Sequence, residues 1–333
     1  MNILITGAAG FIGSNFVHYW IEQHPGDRVI AFDLLTYAGN RANLASVEDQ
    51  CRFVQGDIAD AALVEQLMRE ENIDVIVNFA AESHNSLAIV DPSRFFRTNV
   101  LGTQTLLEIA RQVGLSRFHH ISTCEVYGDL SLDSQEEFTE ESPYRPRTPY
   151  NASKAGADHA VRAYFETFNV PVSISNCCNN YGRFQFPEKV IPLFTTLAMD
   201  NQPLPLYSST SNRREWIHVL DHCRAVERII MNGRVGETYN VGTKTEKSIM
   251  EIADIILTSL DKPDSLKTIV PDRPGHDRRY LLDSSKIQHE LGWMPQIEFE
   301  EGIMDTITWY VENRYWWEPL QERAIVEEQN WKD

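Results

Sequence analysis

"NILITGAAGFIGSNFVHYWIEQH", residues 2–24, decides the fold. It opens with an apolar run of strand length, closes with apolar residues at helical spacing, and sets Gly7, Gly10 and Gly13 between them. Glycine there omits the Cβ atoms that would hold backbone N–H groups away from a pyrophosphate at the helix N-terminus, and Gly13 lets the helix pack close to the strand. Glycine triplets also occur by chance in plain turns. Here strand, turn and helix agree with a further feature: "RVIAFD" (28–33) ends in Asp33, 20 residues after Gly13. A carboxylate at that strand end accepts hydrogen bonds from ribose hydroxyls and repels a 2′-phosphate, so the pattern predicts NAD rather than NADP. The alternative for Asp33 alone is a solvated strand end.

Working outward, "CRFVQGD", "DVIVNFAA", "RFHHIST" and "PVSISN" continue the series of short apolar runs. "AALVEQLMREEN", "FFRTNVLGTQTLLEIARQVG" and "NASKAGADHAVRAYFETF" alternate with them at helical spacing. That order predicts an α/β, doubly wound parallel sheet of the Rossmann type over residues 1–175. Residues 176–333, looser and rich in Asn, Pro and Arg before the helical "IMEIADIILTSL" and "EEGIMDTITWYVENRYWW", read as a smaller substrate-binding lobe with some segments returning to the first domain. His119 and His120 read as core and surface residues respectively, and Cys177 and Cys178 as packing residues.

The bulk properties bound the function. With 333 residues, 42% of them hydrophobic, the chain can fill a sizeable core, and its net charge of -18 makes nucleic acid and anionic membranes poor partners. An anionic ligand must then be met by a local cluster of Arg and Lys. Five cysteines, at 51, 124, 177, 178 and 223, show no C-x-x-C or other metal spacing; no metal site and a reducing, cytoplasmic setting are expected. "MNILITG" lacks a basic n-region and cleavage site, and no apolar run approaches the ~20 residues of a membrane span.

"YNASK" places Tyr150 and Lys154 on one face of a helix. A lysine ammonium beside the phenol, together with a positive nicotinamide ring, would lower the tyrosine pKa and let it take a proton from a sugar hydroxyl. Behind a dinucleotide turn, and 27 residues after Thr123, the pair resembles the catalytic Tyr-x-x-x-Lys of the extended short-chain dehydrogenase/reductases. "LLTYAGN", "AAESH", "EVYGDL", "NNYG", "QFPEKVIPL", "REWIHVLDH" and "PDRPGHDRRYLLD" narrow the resemblance, across almost the whole chain, to the NAD-dependent nucleotide-sugar 4,6-dehydratases typified by dTDP-glucose 4,6-dehydratase.

The resemblance implies roles. NAD would be held by Gly7, Gly10, Phe11, Ile12, Gly13, Asp33, Asp57, Ile58, Ala80, Asn99, Tyr150, Lys154 and Asn180. The substrate, dTDP-glucose or UDP-glucose, would meet Thr123, Asn179, Lys189, Val190, Arg214, Asn240, Arg273 and His276. His84 is a candidate to approach the sugar and equally reads as a structural histidine. Thr123 would bond the sugar O4, Tyr150 would serve as base for oxidation at C4, Lys154 would hold the nicotinamide ribose, and Glu125 would take the C5 proton. A homodimer is implied as well, through helices near 95–112 and 150–168, with Leu106, Ile109, Val161 and Tyr164 supplying apolar area.

Two departures from the family pattern bear on the reaction. Most members carry Thr-Asp-Glu, whose Asp protonates the departing C6 hydroxyl; this chain reads Thr123-Cys124-Glu125. Three readings stay open: Cys124 is the acid, it is a small core residue, or it marks a 5,6-dehydratase of the type acting on UDP-N-acetylglucosamine, which leaves an exocyclic alkene. In "AAESHNSLAIVDP", Asn85, Ser86 and Leu87 stand where relatives commonly carry Asp-Arg-Ser, so the sugar pocket loses two charges. A non-catalytic dinucleotide-binding regulator is the reading from another class, and intact Thr123, Glu125, Tyr150 and Lys154 oppose it.

Overall fold

The computed structural model describes residues 1–324. Its centre is a seven-stranded, wholly parallel sheet in the spatial order Thr238–Val241, Val172–Cys177, Arg117–Thr123, Val75–Asn78, Asn2–Thr6, Arg28–Asp33, Cys51–Gln55. Strands buried on both faces need near-continuous apolar runs, and Val75–Asn78 and Val172–Cys177 are buried throughout. One face is covered by helices Ala61–Glu70, Thr103–Val113 and Pro149–Phe168, the other by Phe11–Gln23 and Val219–Asn232, with a hydrophobic cluster beneath each layer. The strand order reverses between Asn2–Thr6 and Val75–Asn78, and crevices of open α/β sheets form at the carboxyl ends of strands at such a switch point.

The second half divides less simply than its composition suggests. Helix Val219–Asn232 packs on Phe11–Gln23, and strand Thr238–Val241 extends the main sheet. The remainder forms a smaller lobe from a three-stranded sheet (Glu246–Ser248, Arg213–His218, Asn179–Tyr181), a two-stranded one (Lys267–Val270, Leu204–Tyr207) and helices Val190–Met199, Ile249–Ser259 and Phe299–Glu312. Among the described residues no helix is long and apolar enough to cross a membrane.

Two expectations are corrected. His120 is not a surface residue: it is as buried as His119, between Asn78 Nδ2 at 3.2 Å and Asp158 Oδ1 at 3.4 Å. Leu106, Ile109 and Val161 are buried in the chain's own core with Tyr164 packed against it, because they lie on the sheet-facing side of their helices. Leu106, Ile109 and Val161 leave no free apolar area for a partner, and Tyr164 stays partly exposed. The exposed apolar residues on those two helical stretches are Phe96, Leu101 and Phe168.

Candidate active site

A cavity of about 960 Å³ runs from the glycine turn, over the carboxyl ends of the central strands, into the smaller lobe. At its first end Gly7 has φ +65°, and a Cβ there would sit 2.7 Å from Ala80 N; a Cβ on Gly13 would overlap the Gly7 carbonyl. Only glycine permits this turn, and Phe11, Ile12 and Ala80 complete its wall. Asp33 closes the turn from the next strand: its Oδ2 accepts from Ala9 N–H at 2.9 Å and its Oδ1 from Leu35 N–H at 2.7 Å. Burial raises the Asp33 pKa while these N–H groups pull it down. Asp57 and Ile58 lie farther along the same wall. The glycine cradle and the fixed carboxylate fit the pyrophosphate and ribose of NAD.

Asn99 departs from its expected place. It lies in the π-helical stretch Phe96–Gly102, buried behind the wall, where its amide donates to the Glu82 carbonyl at 3.0 Å and to Ser153 Oγ at 2.8 Å. Its Oδ1 accepts from Glu82 N–H, so it shapes the wall without facing the cavity.

In the middle of the cavity, Thr148 caps helix Pro149–Phe168 by accepting from Asn151 N–H at 3.2 Å, and Pro149 opens its first turn. "TPYNASK" therefore starts the helix where Tyr150 and Lys154 both face the cavity. Lys154 Nζ donates to the Ile121 carbonyl at 2.6 Å and lies 3.4 Å from His120 Nε2. Burial, then Glu125, Cys177 and Cys124, push the Tyr150 phenol well above its ordinary pKa, with the Thr123 hydroxyl opposing. The expected depression of that pKa by Lys154 is thus not present in the protein alone.

Thr123 and Glu125 line the cavity and Cys124 between them does not. Thr123 ends its strand and caps the short 3₁₀ turn Cys124–Tyr127, and the chain's change of direction there leaves Thr123 and Glu125 on the wall and turns Cys124 into the core. Cys124 is 1% exposed and belongs to a buried cluster with Val126, Ala155 and Cys177. Burial and the adjacent Glu125 keep its thiol protonated. Glu125 is half-buried; burial and Asp277 raise its pKa while Arg273, Arg214 and Lys189 lower it, with a net rise.

The far end is cationic. Arg214, on strand Arg213–His218, donates through Nη2 to the Asp277 carbonyl at 2.8 Å and lies 5.0 Å from the centre of the Tyr280 ring. Arg273 carries a buried Nη1 without a hydrogen-bond partner, an orphaned donor that fits an anionic oxygen. Lys189 Nζ donates to the Ser83 carbonyl at 3.0 Å, with Val190, Asn179 and Asn180 beside it on the wall. His276 Nδ1 lies 3.1 Å from Ser209 Oγ, and burial with Arg273 lowers its pKa to about 4. His84 lines the cavity, and its Nδ1 accepts from Leu87 N–H at 3.3 Å as a helix cap. Burial and Lys189 lower its pKa to about 3.

Asn240 does not reach the site. Its side chain accepts from the Tyr127 hydroxyl at 2.8 Å and donates to the Phe138 carbonyl at 2.9 Å, inside the sheet. Cys177 and Cys178 pack as expected, yet both also touch the cavity. Sequence reasoning missed Glu188, whose buried Oε2 is unpartnered on the wall while its Oε1 accepts from the Tyr37 hydroxyl at 3.3 Å. Its adjacency to Lys189 in "QFPEK" was the available signal. Among the described residues no group of three or more His, Cys, Asp or Glu could hold a metal ion.

A glycine cradle, a Tyr/Lys helix and a cationic far end in one cavity define an extended short-chain dehydrogenase/reductase. Residues 4–306 match the family model described as GDP-mannose 4,6 dehydratase, and the chain belongs to that family. It is 49% identical over 323 residues to the dTDP-glucose 4,6-dehydratase of Mycobacterium tuberculosis, covering 97% of each chain. The dTDP-glucose 4,6-dehydratase of Streptomyces venezuelae, solved with NAD and TYD bound, superposes with a TM-score of 0.93 at 49% identity, over 96% of this chain and 100% of that one. That of Bacillus anthracis, in complex with NAD, gives 0.90 at 45%, over 96% and 99%.

Proposed function

We propose that the protein is an NAD-dependent nucleotide-sugar 4,6-dehydratase, with dTDP-glucose as substrate and the 4-keto-6-deoxy sugar as product. The observation that carries this reading is the placement of Thr123, Glu125, Tyr150 and Lys154 between the dinucleotide cradle and the cationic end of one cavity. The names of the homologues supply the base and the sugar.

The chemistry that bound NAD supplies is acceptance of hydride from C4 and its return to C6. Tyr150 takes the C4 hydroxyl proton while Thr123 bonds that oxygen, and the positive ring beside the phenol would offset the burial that now keeps it protonated. Lys154, fixed by the Ile121 carbonyl, holds the nicotinamide ribose. With a ketone at C4, the C5 proton becomes acidic and Glu125 removes it. Cys124 is off the wall, which supports Glu125 as the group that passes that proton to the departing C6 hydroxyl, which leaves as water. As hydride reaches C6, Glu125 delivers a solvent-derived proton to C5, and Tyr150 returns its proton to solvent. Arg214, Arg273 and Lys189 hold the diphosphate.

The protein works as a homodimer in this proposal, its helices Thr103–Val113 and Pro149–Phe168 meeting a second copy. Phe96, Leu101 and Phe168, respectively 43%, 58% and 47% exposed, support that face.

The test is incubation of the purified protein with dTDP-glucose, UDP-glucose and UDP-N-acetylglucosamine. Loss of one water with a new C6 methyl signal by NMR, fastest with dTDP-glucose, is the expected result. An exocyclic 5,6-alkene would identify the 5,6-dehydratase instead.

A further inference from the structure

Glu125 has a neighbour that the charge pattern of the chain does not reveal. Asn85 Nδ2 donates to Glu125 Oε2 at 3.4 Å, and Asn85 Oδ1 accepts from Thr148 Oγ1 at 3.4 Å. The Thr148 side supports this orientation of the amide. The Thr148 hydroxyl already accepts from Asn151 N–H, so its own proton is free for Asn85 Oδ1, which turns the Asn85 N–H groups toward the carboxylate. Thr148 is also the cap of the helix that carries Tyr150. One amide thus links the group that acts at C5 to the helix that acts at C4.

We propose that Asn85 is a positioning residue for Glu125, fixing one carboxylate oxygen and favouring the ionised form that must take the C5 proton. The inference rests on the reading of Glu125 as that base.

The charged surroundings show why a neutral donor matters. Arg273, Arg214 and Lys189 favour ionised Glu125, while burial and Asp277 oppose it more strongly. Tyr150 and Tyr280, and the thiols of Cys124 and Cys177, stay protonated by burial and contribute no positive charge. When the substrate diphosphate engages the three cations, their help to Glu125 is partly neutralised. The Asn85 amide, which carries no charge for the diphosphate to cancel, continues to donate. Its effect therefore belongs in the pH dependence of kcat, which reports the enzyme–substrate complex.

The experiment measures kcat against pH with dTDP-glucose for the wild type, Asn85→Leu and Asn85→Asp. A donor to a carboxylate lowers its pKa, so losing it should move the acidic limb of Asn85→Leu up by about one pH unit, a roughly tenfold loss below the limb that shrinks toward the plateau. Asn85→Asp, nearly isosteric, should move it further because a second carboxylate repels ionised Glu125. An acidic limb unmoved in both variants, or a loss of the same factor at every pH, would overturn the proposal. Glu125→Gln, assayed by solvent-deuterium exchange at C5, separates the two readings. If it retains exchange, Glu125 is not the base and both fail. If it abolishes exchange while both Asn85 limbs stay in place, this inference alone fails.

Discussion

Asp33 Oδ2 accepts from Ala9 N–H at 2.9 Å, so the carboxylate expected to hold the cofactor ribose also fastens the glycine turn that would hold the pyrophosphate. The two halves of the dinucleotide site are one hydrogen-bonded unit. Asp33→Ala should weaken NAD binding ~10–100-fold, from the loss of charge-assisted bonds worth ~1.5–3 kcal/mol, and should narrow discrimination against NADP. Titration calorimetry with both dinucleotides checks this. An unchanged NAD Kd would place the adenosine ribose elsewhere.

The unpartnered Nη1 of Arg273 points to an anion, since a buried guanidinium nitrogen without an acceptor is costly. Arg273→Ala should raise KM for dTDP-glucose ~10–100-fold and lower kcat by a smaller factor, leaving NAD content unaltered. Equal losses in kcat and kcat/KM would show that the guanidinium acts in the transition state instead.

The parts of the fold legible in the sequence are those with local signals. The strands Asn2–Thr6, Arg28–Asp33 and Arg117–Thr123 coincide with apolar runs, and Thr148 and Pro149 mark a helix start. Strand Thr238–Val241 was not legible as part of the main sheet, because its partner Val172–Cys177 lies more than sixty residues earlier and such pairing leaves no local trace. Helix Val190–Met199 is apolar on most sides and carries Pro192, which hides its period. Within the site, motif order placed Asp33, Tyr150, Lys154 and Arg273 on one cavity, whereas Asn99, Asn240 and Cys124 needed geometry, because each side chain is held off the cavity wall by partners that lie elsewhere in the chain.

Leu101, 58% exposed on the stretch that leads into helix Thr103–Val113, tests the dimer. Leu101→Arg should shift the mass by light scattering toward a monomer at micromolar concentration, because a charge at the core of an apolar interface is left unpaired. Leu101 does not itself line the cavity. A dimer of unaltered affinity would move the interface to another face.

The lowest acidic limb of the pH profile should belong to Glu125, because the Tyr150 phenol, raised by burial, titrates at higher pH. The folded-state pKa of Glu125 is raised, so the base form is lost as pH falls through a value above the ordinary carboxylate range. Activity is present above that value and absent below it. His84 and His276 stay neutral down to about 3 and about 4 respectively, so neither adds an inflection near the ordinary histidine value. Profiles of kcat for the wild type, His84→Gln and His276→Gln check this: the acidic limb should hold its place in all three. A limb that moves in either histidine variant would assign the titration to that ring.

Cys124 presents the sharpest contrast between motif and geometry. If its thiol sits in the core, as its 1% exposure indicates, Cys124→Ala should cost ~1 kcal/mol of stability through a small cavity and leave kcat within about threefold. Cys124→Asp would set a carboxyl among Val126, Ala155 and Cys177, where an ionised group without a partner is strongly disfavoured; the variant should melt well below the wild type and gain no turnover. The opposite outcome is equally specific. A positioned acid contributes ~10²–10⁴-fold, so a loss of that size in Cys124→Ala, with reduced cofactor accumulating on the enzyme after C4 oxidation, would mean that the thiol turns to the cavity when substrate binds and protonates the departing hydroxyl. Single-turnover absorbance of the bound nicotinamide, beside thermal melts of both variants, separates a packing thiol from a catalytic one.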